Sequence, residues 1–317
     1  MSDEKKDTMK AVRIHAYGGP EVLVYEDVAR PEAAAGEVLI RVHAAGVNPA
    51  DWKTRSGPAR PGAMLPMILG WDVSGTVEAL GPEVTEFHEG DAVYGMIRFP
   101  QAGATYAEYV TAPVSQIAHK PAKIDHIHAA AVPLAGLTAW QALFEKAHLT
   151  AGQTVLILGA AGGVGHLAVQ LAKSQGAYVS GTASTRNIEF LHRIGVDQAI
   201  DYTTTALETA VHNVDVVFDT VGGEARERSL RVIKQGGTLV SIVFGRSSAE
   251  QVVAGVNVQG MFVQPNAAQL AQIAQLIDAG KVHITVDTVL PLANAQKAHE
   301  LSETHRTRGK IVLRVAE

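Results

Sequence analysis

A glycine-rich run in the middle of the chain separates two different patterns of hydrophobicity. Residues 154–158, Thr-Val-Leu-Ile-Leu, are typical of a buried strand, and the apolar spacing over residues 164–171 indicates a helix. Residues 160–165 read Ala-Ala-Gly-Gly-Val-Gly, a variant of G-x-G-x-x-G with alanine at the first glycine. In this setting Gly162 allows the backbone to approach a pyrophosphate, Gly165 allows the helix to pack closely on the strand, and the helix N–H groups face the anion. The run predicts a dinucleotide site, and a purely structural turn is the alternative. The residues expected at the phosphates are Ala161, Gly162, Gly163 and Val164.

The residues after the next strand pattern, 177–183, indicate which dinucleotide is bound. An NAD enzyme usually carries Asp or Glu about 20 residues beyond the loop, where it binds the ribose hydroxyls. No Asp or Glu occurs over residues 166–188, and Ser184-Thr185-Arg186 stands at that place. Hydroxyls and a guanidinium suit a 2′-phosphate, and a charge-assisted hydrogen bond contributes about 1.5–3 kcal/mol. We therefore expect NADPH as the cofactor. The alternative, that Ser184 and Thr185 cap the next helix, is compatible with this role.

The chain has two regions with different hydrophobic patterns, and these must position the predicted site residues. Up to about residue 120 the chain consists of short β patterns interrupted by Gly and Pro, which is typical of an all-β barrel. From about residue 125, strand and helix patterns alternate, which is typical of a doubly wound parallel sheet. The expected barrel strands are 10–16, 22–28, 37–45, 73–79, 91–96 and 107–110.

The second region begins with a helical pattern over 129–146, which Pro133 and Gly136 are expected to divide. The last strand, 310–315, is expected to return to the barrel. The other strands expected in this region are 154–158, 178–183, 214–219, 238–244, 256–263 and 286–290. The other expected helices are 163–175, 186–194, 225–233, 267–279 and 293–305.

The bulk composition excludes several classes of protein. The chain has 317 residues, 27 basic and 32 acidic side chains and a net charge of −5, without the basic run that nucleic-acid binding needs. No apolar stretch reaches the roughly 18–20 residues of a membrane span. Residues 1–8 lack the apolar core of a secretory signal and are expected to form a flexible polar leader. The absence of cysteine excludes disulfides, thiolate nucleophiles and cysteine-ligated zinc. The 13 histidines are scattered, and we expect them to be structural or solvated.

Several further segments resemble those of one family, in the same order along the chain. The matching motifs are Gly46-Val-Asn-Pro-Ala-Asp51, Leu69-Gly-Trp-Asp-Val-Ser-Gly75, Val84-Thr-Glu-Phe-His-Glu-Gly-Asp91, Thr105-Tyr-Ala-Glu-Tyr-Val110, Ala135-Gly-Leu-Thr-Ala-Trp140, the 160–165 loop, Phe218-Asp-Thr-Val-Gly222 and Arg308-Gly-Lys-Ile-Val-Leu313. In these motifs the chain is similar to the medium-chain dehydrogenase/reductase superfamily, in its zinc-free quinone oxidoreductase branch. This resemblance covers residues 9–317 and implies an α/β fold, a Rossmann doubly wound parallel sheet plus a GroES-like β-barrel catalytic domain. It implies a GroES-like domain over 9–124, completed by 281–317, and a Rossmann NADPH-binding domain over 125–280.

The chain departs from the zinc alcohol dehydrogenases of that superfamily at the metal ligands. Those enzymes carry cysteine where Asn48 stands here, and histidine and an acid where Trp71 and Asp72 stand. Without thiolate or imidazole at these places, polarisation of an alcohol by zinc is not expected. The resemblance therefore implies reduction of an acceptor that is already electron-poor.

The resemblance also implies which residues form the site. Asn48 and Lys53 are expected to be catalytic, because the Asn-Pro-x-Asp segment of this branch lies beside the nicotinamide and the substrate. Lysine at position 53 is frequent in enone-reducing relatives, where it bonds the nicotinamide ribose or a substrate carbonyl; a solvated lysine is the alternative. The remaining cofactor residues are expected to be Thr138, Tyr202, Val221, Phe244, Gly309 and Lys310, and the pocket residues Trp71, Met96 and Phe99.

Together these features predict a cytoplasmic, metal-independent oxidoreductase that transfers hydride from NADPH to a quinone or an α,β-unsaturated ketone. An enoyl-thioester reductase and a non-enzymatic NADPH-binding redox sensor are the alternatives. The expected partners are a small electrophilic acceptor and a second copy of the chain, with no nucleic acid and no membrane. The homodimer is expected because residues 256–263 form an apolar β segment near the end of the nucleotide sheet, and a bare strand there is an aggregation hazard.

Overall fold

The computed structural model describes residues 8–57, 64–243 and 251–316, and the expected leader falls almost entirely outside these ranges. The chain forms two compact units. The first contains the residues up to Leu134 together with Pro265–Asp278 and Ile284–Glu317, and the second contains Ala135–Gln264 and Ala279–His283.

The strands, in chain order, begin with those of the first unit. These are β1 (Thr8–Ile14), β2 (Leu23–Ala29), β3 (Glu37–Val47), β4 (Met67–Ile68), β5 (Asp72–Leu80), β6 (Ala92–Met96), β7 (Tyr109–Pro113) and β8 (Ile117–His119). The second unit contributes β9 (Thr154–Leu158), β10 (Tyr178–Ala183), β11 (Gln198–Asp201), β12 (Val214–Asp219), β13 (Ile233–Ser241), β14 (Gln251–Val253) and β15 (Val256–Gly260). The chain ends with β16 (Val286–Pro291) and β17 (Lys310–Arg314) of the first unit.

The helices include one π-helical segment and several short 3-10 turns. The α-helices are α1 (Pro49–Ser56), α2 (His126–Ala130), α3 (Pro133–Trp140), α4 (Gly165–Ser174), α5 (Ile188–Arg193), α6 (Leu207–Ala210), α7 (Gly223–Ser229), α8 (Ala267–Asp278) and α9 (Ala295–Glu303). The π-helical segment is Gln141–Lys146, and the 3-10 turns are Pro20–Val22, Val114–Gln116, Thr185–Asn187 and Leu292–Asn294.

The first unit is the expected β structure around a GroES-like sheet. One sheet has the strand order β16-β17-β3-β5-β6-β8, with β7 also paired to β3, and a smaller sheet has the order β2-β1-β4. β17 pairs antiparallel with β3, so the end of the chain does return to the barrel as expected. Gly46 of β3 is needed for close packing, because a Cβ there would lie 2.3 Å from the carbonyl oxygen of Ala130. The core of this sheet is apolar: Val38, Ile40, Val42, Val73, Val77, Val93 and Ile117 are among its buried residues.

The second unit is a doubly wound sheet with the order β11-β10-β9-β12-β13-β15-β14. All its pairs are parallel except β14 with β15. The strands that follow β9 in the chain extend the sheet first on one side and then, from β12 onward, on the other. Parallel sheets of this kind bind ligands at the carboxyl ends of the strands where the order reverses, here between β9 and β12. The fold class expected from the sequence is confirmed.

Several local expectations differ from the structure. Gly136 does not divide the helical region, because α3 runs through it from Pro133 and only Pro133 marks a helix start. The helix expected over 225–233 ends at Ser229, and β13 then begins at Ile233. The predicted elements omitted β4, β8, β11, α6 and β14, of which none exceeds four residues. Such short segments carry too few residues for a hydrophobic period to be recognised.

Within the three described ranges, no helix combines the length and the apolar character needed to cross a membrane.

Candidate functional site

The loop that joins β9 to α4 has the backbone geometry of an anion cradle. Gly159 has φ +72°, and a Cβ there would lie 2.7 Å from the Thr220 hydroxyl oxygen. A Cβ at Gly165 would lie 2.2 Å from the carbonyl oxygen of Gly159, so only glycine allows α4 to start this close to the strand. A Cβ at Gly162 would meet only the Gly159 carbonyl oxygen, at 3.3 Å. The loop therefore fits a bound pyrophosphate, with open space beside Gly162 and a helix N-terminus following it.

Alanine at position 160 is compatible with this cradle. Gly159, one residue earlier, supplies the positive φ. The Ala160 side chain is fully buried and lies against Gly181 of β10, where a Cβ would come within 2.9 Å of it. The methyl group that alanine adds at this position of the motif therefore packs in the core and does not obstruct the loop.

The loop after β12 is tied to the loop after β9. The buried carboxylate of Asp219 accepts the N–H groups of Val221 and Gly222, at 2.9 and 2.8 Å, and the Ser241 hydroxyl at 2.7 Å. The Thr220 hydroxyl donates to the carbonyl oxygen of Leu158 at 2.7 Å. These bonds fix the edge at which the strand order reverses, and they leave the side chain of Val221 52 % exposed there.

Ser184, Thr185 and Arg186 follow β10 at the same edge of the sheet. The Ser184 side chain makes no capping hydrogen bond to the 3-10 turn, so the capping alternative is not realised for it. The Thr185 hydroxyl instead donates to Asp201 Oδ2 at 2.6 Å. Asp201 ends β11 and lies opposite Ala183 in the parallel register. The sequence between residues 166 and 188 has no acid, but the neighbouring strand brings a carboxylate to this place.

The other residues predicted at the cofactor have different surroundings. Thr138 is buried in α3, Tyr202 is 63 % exposed just after β11, and Phe244 lies outside the described residues. Gly309 has φ +73°, and a Cβ there would lie 2.2 Å from the Thr285 carbonyl oxygen. Lys310 belongs to the first unit, and its side chain is buried there. Contact of these residues with a cofactor stays a prediction.

A buried polar cluster surrounds Asn48 in the first unit. The Lys310 ammonium donates to Asn48 Oδ1 and, at 3.1 Å, to the carbonyl oxygen of Val47. Asn48 Nδ2 donates to Asp72 Oδ2 at 2.9 Å, and Asp72 Oδ1 accepts the Leu134 N–H at 2.7 Å. The ammonium lies 3.5 Å from Asp72 Oδ2. The Asn48 amide is therefore held at both ends, and one of its two N–H bonds is left for another partner.

Asp51 adds a second carboxylate to this cluster. Its Oδ2 accepts the Asn48 N–H at 2.6 Å, one half of a capping box at the start of α1. Burial, together with the nearby Asp72, raises the pKa of Asp51 to about 7, although the Asn48 N–H bond and the Lys310 ammonium act in the opposite direction. Burial also raises the pKa of Asp72 and lowers the pKa of Lys310. One cation thus faces two buried carboxylates, which favours a proton on Asp51 near neutral pH.

A hydrogen-bonded chain leads from this region to α9. Arg55 Nη1 donates to His299 Nδ1 at 3.2 Å, and Arg55 Nη2 also donates to Glu303. Because a guanidinium only donates, the neutral His299 ring carries its hydrogen on Nε2, which faces the Tyr106 hydroxyl oxygen at 3.3 Å. Burial lowers the pKa of His299 to about 3, which keeps the ring neutral. The Tyr106 hydroxyl is then free to donate toward Asp51, whose pKa it lowers. The sequence patterns missed this chain, because its members lie far apart in the sequence.

The predicted catalytic and pocket residues also lie in the first unit. Lys53 is exposed on α1, with its Nζ 5.5 Å from the centre of the Trp52 ring. Trp71 is buried, its Nε1 donates to the Gln101 carbonyl oxygen at 2.6 Å, and its ring meets Phe99 edge-on at 5.2 Å between ring centres. Met96 is fully buried at the end of β6. The roles assigned to these residues stay predictions.

The residues present do not fit a catalytic zinc. At the three ligand places, Asn48 is an amide, Trp71 Nε1 is a donor only, and Asp72 already accepts hydrogen bonds on both oxygens. The Lys310 ammonium lies beside Asn48 and Asp72, where a cation would compete with a metal. Across the described ranges there is no group of three or more His, Asp or Glu side chains suited to a metal ion.

Comparison with known proteins identifies the family. Residues 34–122 match the alcohol dehydrogenase GroES-like domain, and residues 194–313 match the zinc-binding dehydrogenase domain. The chain is 36% identical to a 2-methylene-furan-3-one reductase of Solanum lycopersicum, over 96% of this chain and 79% of that protein. It is 35% identical to an NADPH-dependent alkenal/one oxidoreductase of Arabidopsis thaliana, described as chloroplastic, over 96% and 79%. The structure of a quinone oxidoreductase from Coxiella burnetii matches with a TM-score of 0.88 and 38% identity, covering 98% of this chain and all of that one.

Proposed function

The chain belongs to the medium-chain dehydrogenase/reductase superfamily, in its quinone oxidoreductase branch, and from this premise we propose that it is an NADPH-dependent reductase of quinones or α,β-unsaturated ketones. The bound cofactor supplies a hydride, which in an enone is added to the β-carbon and leaves an enolate. The chain itself provides orientation, hydrogen bonds and charge, and no metal takes part.

The anion cradle in the loop from β9 to α4 is the observation that supports this proposal most strongly. Its glycines allow a close approach of backbone and ligand, and α4 follows it directly. A helix N-terminus favours a phosphate both by its free N–H groups and by its dipole. A dinucleotide bound there extends toward Ser184 and Arg186 in folds of this kind. The relative from Arabidopsis thaliana is named as an NADPH-dependent oxidoreductase, which also supports a nicotinamide cofactor for this chain.

The first unit supports the acceptor half of the proposal. Lys310 and Asp72 hold the Asn48 amide in one orientation, so its remaining N–H is a pre-organised donor. An amide whose oxygen accepts a hydrogen bond from a cation is polarised, so its N–H groups donate more strongly. Lys53 supplies a second positive group, on the short helix α1 whose N-cap is Asn48. We assign to Lys53 the stabilisation of negative charge on the acceptor oxygen.

A panel of acceptors tests the function. The purified protein is mixed with NADPH and, separately, 1,4-benzoquinone, a simple enone and crotonyl-CoA, and both NADPH oxidation and the reduced products are measured. We expect turnover with the quinone or the enone, and the same rate after treatment with EDTA. Turnover confined to crotonyl-CoA would indicate a thioester reductase, and tight NADPH binding without turnover would indicate a sensor. Loss of the rate in EDTA, restored by zinc, would contradict the metal-free proposal.

Arg186 is expected to select the 2′-phosphate. Arg186→Ala should weaken NADPH binding by about 1.5–3 kcal/mol and leave NADH binding almost unchanged, because only NADPH carries the group that the guanidinium pairs with. The measurement is a titration of both cofactors, and Arg193→Ala, an exposed arginine of α5, is the matched control. An equal loss for the two cofactors would show that Arg186 does not contact the phosphate.

We also propose that the chain forms a homodimer in the cytoplasm. β15 lies next to the end of its sheet, and the outermost strand is β14, whose Val252 is 73 % exposed. Pairing of such edges across a two-fold axis would extend the sheet and cover the apolar strand. Light scattering at micromolar concentration should give twice the mass of one chain. A monomer under these conditions would count against the dimer.

A further inference from the structure

The carboxylate of Asp201 lies beside the residues proposed to bind the cofactor's 2′-phosphate. Asp201 ends β11, in register with Ala183 at the end of β10, and Ser184 follows Ala183 directly. Its Oδ2 accepts the Thr185 hydroxyl at 2.6 Å. Its Oδ1 accepts the Thr203 hydroxyl at 2.6 Å and the Thr203 N–H at 2.9 Å. One acidic side chain therefore organises both hydroxyls at this edge.

These bonds decide where the two hydroxyl hydrogens point. The Thr185 and Thr203 oxygens are 3.0 Å apart, but each hydroxyl has a single hydrogen. The shorter contacts run to a charged acceptor, and charge-assisted hydrogen bonds are the stronger ones. Both hydrogens are therefore directed at Asp201, and a phosphate at this edge would meet hydroxyl lone pairs. The hydroxyl bonds also lower the pKa of Asp201, so the group is ionised at neutral pH.

A 2′-phosphate and a ribose hydroxyl respond to this arrangement in opposite ways. A phosphate is an acceptor and an anion, so it loses two donors and meets a like charge. A ribose hydroxyl carries a hydrogen of its own, which a carboxylate or a hydroxyl lone pair accepts. Asp201 thus acts against the selection for NADPH that Ser184 and Arg186 exert. The loss of donors for the phosphate and the gain of acceptors for the ribose hydroxyl both arise because the carboxylate holds the two hydroxyl hydrogens.

We infer that Asp201 sets the cofactor preference of this protein, by holding the Thr185 and Thr203 hydroxyl hydrogens and placing a negative charge beside the 2′ position. This inference rests on the proposed binding of NADPH at the β9–α4 loop. It identifies a residue that lowers the preference for the phosphorylated cofactor, so the wild-type protein accepts NADH as well as NADPH to a measurable extent. Removal of the charge should make the protein more selective for NADPH.

Asp201→Asn is the direct test, because the amide keeps the size of the carboxylate. Its oxygen still accepts one hydroxyl, while its NH₂ group faces the other and forces that hydroxyl to turn its hydrogen outward. We would titrate 2′,5′-ADP and 5′-AMP calorimetrically, so that no turnover is needed. The ratio of the two dissociation constants should shift about tenfold toward 2′,5′-ADP. Glu189→Gln, which removes an equal charge from the exposed start of α5, should shift it less than twofold.

Thr185→Val separates the hydroxyl from the charge. If the hydroxyl hydrogen is held by Asp201, this change should alter 2′,5′-ADP binding less than twofold in the wild-type background. In the Asp201→Asn background it should remove about threefold of the gained affinity, a coupling that a double-mutant cycle measures. A tenfold loss from Thr185→Val alone, or an unchanged ratio in Asp201→Asn, would overturn the inference. Failure of the wild-type protein to bind either nucleotide would overturn the proposed function as well.

Discussion

Lys310→Met should destabilise the protein by about 3–5 kcal/mol, the range observed when one partner of a buried ion pair is removed. The methionine fills a similar volume but leaves Asp72 without its cation in a fully buried site. It also removes the donor to Asn48 Oδ1. Urea unfolding followed by circular dichroism gives the free energy of unfolding for both proteins. Lys297→Met, which removes an exposed lysine paired with Glu300, should cost less than about 1 kcal/mol.

The loss should grow with pH. Lys310 lowers the pKa of both Asp51 and Asp72, so without it both values rise further above those of the unfolded chain. When folding raises the pKa of a carboxyl group, the folded state binds the proton more tightly than the unfolded chain does. The free energy of unfolding is then largest below the unfolded pKa and falls as the pH rises through the folded pKa. For Asp51 that value is about 7 already in the wild-type protein. Lys310→Met should therefore lose more stability at pH 8 than at pH 5, and adding Asp72→Asn should restore part of it. A larger loss at pH 5 would contradict this account of the cluster.

Lys53→Met should lower kcat for enones by about 10²-fold or more, while the Kd of NADPH changes little. A cation positioned at the developing enolate oxygen stabilises the transition state more than the bound substrate, which appears as a loss in kcat. Steady-state kinetics with an enone and with a quinone, together with an NADPH titration, measure the effect. Lys53→Arg keeps the charge and should retain most of the rate.

The other two roles of Lys53 give different results. If Lys53 holds the nicotinamide ribose, the affinity for NADPH should fall, and the rates with enones and quinones should fall together. If Lys53 is only a solvated lysine, neither the rate nor the affinity should change by more than about twofold. Lys53 is exposed on α1, as a solvated lysine would be. An unchanged rate and affinity would therefore remove Lys53 from the mechanism.

Long or sharply bounded elements of the nucleotide-binding unit were predictable from the sequence. The expected strands over 154–158, 178–183 and 214–219 coincide with β9, β10 and β12, because each is a run of apolar or β-branched residues that ends at a turn. β11 was not predicted, since it has only four residues and ends in the polar Asp201. Because β11 carries the carboxylate that bonds Thr185, a residue of the proposed cofactor site was missed together with the strand.

The polar cluster in the first unit was predictable only in part. The Asn-Pro-x-Asp segment predicted Asn48 as a catalytic residue, and the motif over 308–313 predicted Lys310 as a cofactor residue. Nothing local links the two, since 262 residues separate them. Their contact arises because β17 returns to pair with β3 and α1 starts where β3 ends. Pairing of strands so distant in sequence follows from the topology of the whole unit, which no local pattern contains.

Transfer of deuterium tests the central proposal most directly. The EDTA-treated protein would be given NADPH carrying deuterium on both C4 positions of its nicotinamide, together with an enone in ordinary water, and the product analysed by mass spectrometry and NMR. We expect one deuterium at the β-carbon and one ordinary hydrogen from solvent at the α-carbon, with one NADP⁺ formed for each ketone. Reduced product without deuterium at the β-carbon, or oxidation of NADPH without any reduced product, would contradict hydride transfer to an enone.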